Sequence, residues 1–162
     1  MEERPIVRAI IIRSTPTTGI EYFLIEKQKK SGEWYATNVQ GGLDGRSPVD
    51  AAVAELHEEI GIDNGYYFVQ TQVEREYNTQ REGKPVRSTC HGLVVLIDDR
   101  CVMKFEDKHR DGRWHTRDAA RDCLMRYPEQ QEIFDLVCNK LDEMINHECN
   151  TYAPHMRYEA KQ

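Results

Sequence analysis

The chain of 162 residues has cysteines in neither the number nor the spacing that a disulfide scaffold needs. The five present (Cys90, Cys101, Cys123, Cys138 and Cys149) are odd in number, widely separated and without a Cys-x-x-Cys pair. That pattern excludes a disulfide framework or a structural zinc site and predicts a reducing compartment. Positive charge is also short. A net charge of −6 excludes a protein that grips nucleic acid non-specifically, which needs a basic surface to release phosphate counterions, but it admits a phosphate ligand held through a metal. No apolar run approaches the roughly 20 residues needed to span a bilayer, and Met1-Glu2-Glu3-Arg4-Pro5 does not read as a signal peptide. A cytoplasmic protein without membrane contact is expected, or one of an organelle matrix where a leader has been removed. Internal repeats and low-complexity segments are missing, and no Ser-His-Asp or Cys-His set is legibly spaced for covalent catalysis. What remains is the length of one domain, with a hydrophobic fraction of 39% that suffices for an ordinary core.

The most informative absence is local: from Ser47 to Ile62 there is no Lys or Arg, although Glu55, Glu58 and Glu59 stand at i, i+3 and i+4. The segment reads as a helix with both ends written in. Ser47 caps it, Pro48 fits the first helical position, Asp50 completes a Ser-x-x-Asp capping box and Gly61 suits the stop. Val49, Ala52, Val53, Leu56 and Ile60 form its apolar face. Like charges at this spacing cost about 0.2–0.5 kcal/mol per pair, and the helix dipole adds about 0.3–1 kcal/mol for each anion in the last turn. A hard divalent cation such as Mg²⁺ or Mn²⁺ reverses those penalties, since it prefers carboxylate oxygen and leaves positions open for water and phosphate. The alternative is a solvated acidic face. It is weakened by the glycine-rich stretch Gln40-Gly41-Gly42-Leu43-Asp44-Gly45-Arg46 that leads into the helix.

Taken together, this loop and helix resemble the Nudix box, Gly-x5-Glu-x7-Arg-Glu-U-x-Glu-Glu-x-Gly-U with U aliphatic. Glu55, Glu58, Glu59 and Gly61 fall on its positions. The resemblance implies that Glu58 and Glu59 bind metal and that Glu55 is a further ligand or helps to activate water, with the Gly41 carbonyl joining the ligand set. Three departures stand out: Ala54 replaces the box arginine, Arg46 replaces the first box glutamate, and the loop is two residues shorter than the common form. Because that arginine normally orients the catalytic glutamate, its loss predicts a reduced rate more than an altered fold.

Along the chain, Ile6 to Arg13 reads as a buried strand and Ile20 to Lys27 as its hairpin partner. Tyr66 to Tyr77 and Val86 to Ile97 read as two more strands, joined by a polar turn over Asn78 to Pro85. Thr116 to Tyr127 reads as a helix or helical turn broken by Pro128, and Glu129 to His147 as a longer helix with an apolar stripe. Arg75 to Val86 is similar to a hairpin of animal diadenosine tetraphosphate hydrolases. Gln40-Gly41-Gly42 is similar to the loop of bacterial RNA pyrophosphohydrolases and plant diadenosine polyphosphate hydrolases. Both likenesses imply a substrate with a polyphosphate chain on a 5′-nucleoside. The resemblance further implies an α/β/α sandwich with a mixed sheet over residues 1–147; a tail over 148–162 is expected to be disordered or to meet a protein partner.

Catalytic residues are then expected at Glu55, Glu58 and Glu106, the last in a late acidic loop where Asp107 is second choice and a solvated loop is the alternative. Substrate is expected on Lys27, Gln40, Gly42, Tyr77 and Lys84. Lys27 belongs to a basic loop for which solvation is the plainer reading and contact with substrate phosphates the alternative. Lys84 and Arg81 supply cations on the hairpin, and Tyr35, Tyr66 and Tyr77 are candidates to stack on a base, although each is more often packing. His57 reads as an exposed side chain rather than a ligand, because magnesium prefers oxygen. The expected activity is cleavage of a phosphoanhydride bond in diadenosine tetraphosphate or a 5′-triphosphorylated RNA end. The alternatives are a weakened nucleotide- or RNA-end-binding subunit of a complex, and a pyrophosphatase for small NTPs or dNTPs.

Overall fold

The computed structural model describes residues 1–148 and 157–159, with backbone alone at 70, 71, 146–148 and 157–159. The central strand of its mixed sheet is β2 (Ile6–Thr15), a near-continuous apolar run because it is covered on both faces. Strand alternation sends Val7, Ala9 and Ile11 to one core and Ile6, Ile10 and Ile12 to the other. On one side β2 pairs antiparallel with β3 (Gly19–Gln28), which continues to β4 (Trp34–Thr37). On the other it pairs parallel with β7 (Lys84–Ile97), the antiparallel partner of β6 (Tyr66–Arg81). Three shorter strands join the sheet off this path: β1 (Glu2–Glu3) on β7, β5 (Val39–Gly42) on β2 and β8 (Arg110–His115) on β3.

Helix α1 (Pro48–Ile60) covers one face; α2 (Arg117–Cys123) and α3 (Pro128–Glu148) cover the other. The architecture is thus the α/β/α sandwich with a mixed sheet. At the start of α1, Ser47 Oγ accepts from the Asp50 N–H at 3.1 Å. At its end Gly61 turns left-handed at φ 67° and donates to the His57 carbonyl. A side chain at 61 would also run into the backbone of Lys104, so the same glycine lets the late loop approach the helix closely.

Two elements differ from the sequence reading. The polar stretch Asn78 to Pro85 is not a turn, because strand pairing continues from Asn78↔Arg87 to Arg81↔Lys84. Only Glu82 and Gly83 turn, both at positive φ, as a two-residue hairpin requires. The segment Thr116 to Tyr127 is helical only over Arg117–Cys123, with Thr116 as its cap. Beyond residue 148, Arg157–Glu159 forms β9, which pairs with β6 at Tyr67–Val69. The rest of the expected tail, with Cys149, lies outside the described residues. Cys90, Cys101, Cys123 and Cys138 are free thiols. Among the described residues no helix is long and apolar enough to cross a membrane.

Candidate active site

The three glutamates of α1 do not share one environment. Glu58 is exposed, Glu55 half-buried and Glu59 only 8% exposed. Glu59 Oε1 accepts from Lys27 Nζ at 2.9 Å, while its Oε2 is buried with no partner among the described residues. Burial, then the neighbouring Glu59 and Glu58 carboxylates, push the Glu55 carboxyl up to about 7, against the opposing fields of Lys27 and Arg46. Its carboxylate occupies the space where a side chain at Gly41 would begin, which is why β5 carries glycine there.

Arg46 folds back on the glycine loop, its Nε donating to the Leu43 carbonyl at 3.1 Å and its Nη2 reaching the Gly42 carbonyl at 3.5 Å. The loop reverses through Asp44 and Gly45, at φ 50° and 83°. Gly42 pairs with Ile6 at the start of β2. Position 54 carries only a methyl group, and the cation of this segment whose field reaches Glu55 is Arg46.

Two cavities flank this acidic group. A cavity of about 380 Å³ is lined by Lys27, Gln40, Gly41 and Tyr77 from the expected set, together with Arg4, Arg8, Tyr35 and Tyr127. A second, of about 430 Å³, is lined by Glu58, Glu59, Glu106, Asp107, Lys104 and Arg110. Arg110 Nη1 donates to the Glu58 carbonyl at 3.3 Å, tying β8 to the end of α1. The Lys27–Glu59 ion pair has one member in each cavity.

The structure therefore brings Glu106 to the exposed rim beside Glu58 and Glu59, and Lys27, Gln40 and Tyr77 to the other side. It leaves Lys84 apart: exposed at the tip of the β6–β7 hairpin, Lys84 lines neither cavity. Tyr66 is wholly buried against Phe68, so packing rather than base stacking is its part. Tyr35 and Tyr77 do reach the cavity. Arg8, buried on the central strand, went unread because the apolar run around it looks uniform; its parity with Ile6 and Ile10 was the available signal.

The donors here are all oxygen, as a hard divalent cation requires, and the unpartnered Glu59 Oε2 is an acceptor with nothing to accept from. Among the described residues, however, no three His, Cys, Asp or Glu side chains stand together as a ready-made ion site. Lys27 holds Glu59 toward β3 instead. His57 is exposed and paired with Asp63.

Comparison with known proteins places this geometry in context. The asymmetrical bis(5′-nucleosyl)-tetraphosphatase of Rattus norvegicus is 27% identical over 116 residues, which cover 71% of this chain and 77% of that protein. The RNA pyrophosphohydrolase of a Nitratiruptor species is 39% identical over 61 residues, 37% of this chain and 38% of that protein. Among solved structures, a C. elegans Ap4A hydrolase in a binary complex superimposes with a TM-score of 0.67 at 17% identity, covering 89% of this chain and 98% of that one; at this identity the likeness speaks for the fold. The family profile described as NUDIX domain matches residues 3–137, and the chain belongs to that family.

Proposed function

We propose that this NUDIX-domain protein is a divalent-metal-dependent pyrophosphohydrolase that cleaves a phosphoanhydride bond of a nucleoside polyphosphate, either diadenosine tetraphosphate or a 5′-triphosphorylated RNA end. Hydrolase chemistry accords with the family, and the sequence relatives named above support the substrate class. The observation that carries the reading is the contact of two unlike surfaces. An acidic helix end meets a cavity lined by Lys27, Arg4, Arg8 and three tyrosines, across the Lys27–Glu59 pair. Metal and phosphate chain would be handled on opposite sides of that pair.

Mg²⁺ or Mn²⁺ held by Glu55, Glu58, Glu59 and the Gly41 carbonyl would neutralise phosphate charge and acidify an attacking water. The chain's own groups do the rest. In the metal-free chain burial and the neighbouring carboxylates push the Glu55 carboxyl up to about 7, and a bound cation would return it to the ionised form that serves as ligand or proton acceptor. Glu106 adds a carboxylate at the rim of the acidic cavity. Lys27 and Gln40 meet phosphate oxygens and Tyr77 with Tyr35 offers aromatic surface to a base, whereas Gly42, expected with them, lines neither cavity and has its carbonyl on Arg46.

A second reading, a catalytically weakened module that binds nucleotide or RNA ends, is favoured by Ala54 and Arg46 at two box positions. Phosphate or nucleotide release from diadenosine tetraphosphate, 5′-triphosphate RNA and single NTPs, each with Mg²⁺ or Mn²⁺, separates the readings. Turnover of either long substrate, lost together with Mn²⁺ affinity in Glu58→Gln, supports the enzyme. Ligand-protected melting with no turnover supports the module, and preference for dNTPs reassigns the substrate.

A further inference from the structure

Arg8 is the single charged residue between Ile6 and Ile12, and it sits in a strand whose neighbours on the same face are core isoleucines. It is 8% exposed, and its Nε and Nη1 are buried without a hydrogen-bond partner among the described residues. A guanidinium is charged and has donors only, so burying it without acceptors is costly. Stability alone does not account for it. The next strand over shows what the site would otherwise hold, for at Gly92, the register partner of Arg8 on β7, Ile133 and Val137 of α3 press directly against the backbone. An apolar side chain at position 8 would extend that core.

Arg8 instead lines the 380 Å³ cavity, beside its cross-strand partner Gln40, whose Oε1 also lacks a hydrogen-bond partner among the described residues. Tyr77 flanks it and is committed elsewhere, donating its hydroxyl to the Glu129 carbonyl at 3.3 Å. Burial first, then Glu132, push that hydroxyl up to about 12, with the field of Arg8 opposing. Among the described residues Glu129 is the only acidic one lining the cavity, against Arg4, Arg8 and Lys27. The nearer end of the cavity is marked by Lys27 and Gly41, the residues in contact with Glu59 and Glu55. Arg8 has the parity of the sheet face that packs on α3, opposite the face covered by α1.

We propose that Arg8 is a substrate-binding and specificity residue whose guanidinium takes a phosphate of the polyphosphate chain beyond the reacting bond, so that the site selects substrates with a long chain. This rests on the pyrophosphohydrolase reading for its substrate but not for its anion. The fork of a guanidinium matches two oxygens of one phosphate, and Gln40 beside it supplies an amide donor to the same group. The two buried, unpartnered donors of Arg8 would thus be satisfied by one ligand.

The test uses inorganic tripolyphosphate, measured by calorimetry on the full chain without added metal, and then kinetics with Mg²⁺. Arg8→Met should weaken tripolyphosphate binding about tenfold or more while raising the melting temperature of the unliganded protein. With diadenosine tetraphosphate it should raise KM and leave kcat nearly unchanged, whereas a nucleoside diphosphate substrate should lose far less. Arg8→Gln, which keeps a polar but shorter and uncharged side chain, decides the matter if Arg8→Met does not fold, and should show the same loss. Wild-type affinity for tripolyphosphate in either folded variant overturns the proposal. If no phosphoanhydride is hydrolysed by the wild type but tripolyphosphate binding still depends on Arg8, the enzyme reading fails and the anion site stands.

Discussion

Lys27 Nζ donates to Glu59 Oε1 at 2.9 Å, joining β3 to the buried side of α1 across 32 positions of sequence. Glu59 is 8% exposed and Lys27 21%, so both charges are largely withdrawn from water. The pair holds an acidic residue in place before any cation arrives. It also sets up a competition, since a metal drawing Glu59 away would release Lys27 toward phosphate.

Lys27→Met leaves the Glu59 charge buried and unpaired. Removing one partner of such a pair costs about 3 kcal/mol, at the low end of the range because Lys27 keeps some exposure. The metal-free protein should therefore melt well below the wild type, and Mn²⁺ should recover much of the difference. Adding Glu59→Gln to Lys27→Met should restore stability without metal. An unchanged melting temperature in Lys27→Met would show that the pair contributes nothing.

Glu55 makes stability depend on pH in a direction opposite to that of a salt-bridged acid. Its carboxyl titrates at about 7 in the folded protein against an ordinary 4.5, raised by burial and then by Glu59 and Glu58. Between those values the folded state holds a proton that the unfolded chain has lost, so stability falls as pH rises through the window. Denaturant midpoints in chelator should decline from pH 4.5 to about 7, and Glu55→Gln should flatten the decline. Mg²⁺ should restore stability above this window because it binds the ionised form. A Glu55→Gln profile that matches the wild type would remove the assignment.

How much of this was readable depends on whether the cause is local. Helix α1 was legible because Ser47, Pro48 and Gly61 act within a turn of its ends, and the apolar period reports a face. The spacing of Glu55, Glu58 and Glu59 says only that they are neighbours; it does not say how the helix is rotated. Glu59 is buried because Lys27 waits for it on another element, which is tertiary information. The β6–β7 arm was mistaken for a turn because its outer residues are polar and exposed, held by backbone pairing that leaves no mark on composition. Arg8 had a mark, a lone charge of core parity, and an apolar average concealed it.

We propose that Arg46 supplies part of what the box arginine would, since its field lowers the Glu55 carboxyl while its side chain braces the carbonyls of Leu43 and Gly42. Arg46→Ala should thus loosen the loop and lower kcat. A positioning error of about 1 Å costs on the order of 10²-fold, so Ala54→Arg in the Arg46→Ala background should recover a large part of the loss. In the wild-type background the gain should be smaller, because two guanidinium groups would compete for one region. If Ala54→Arg raises kcat equally in both backgrounds, Arg46 has no orienting part.

Lys84 offers the complementary case of an exposed cation that lines neither cavity. It is exposed at the hairpin tip, opposite Arg81 in the register, with no carboxylate recorded against it among the described residues. At such a place a charge acts through solvent, where screening is strong: the Debye length is about 10 Å at 0.1 M ionic strength and about 3 Å at 1 M. Its contribution should therefore be to the encounter of a polyanion with the protein, not to the bound state. Lys84→Ala should lower kcat/KM for diadenosine tetraphosphate at low salt, leave kcat unchanged, and lose its effect as salt is raised. The buried Arg8 is shielded from screening, so its KM effect should persist at the same high salt. A Lys84→Ala defect that survives high salt would place this lysine in direct contact with bound substrate, and would mean that the hairpin tip folds over the cavity when substrate is bound.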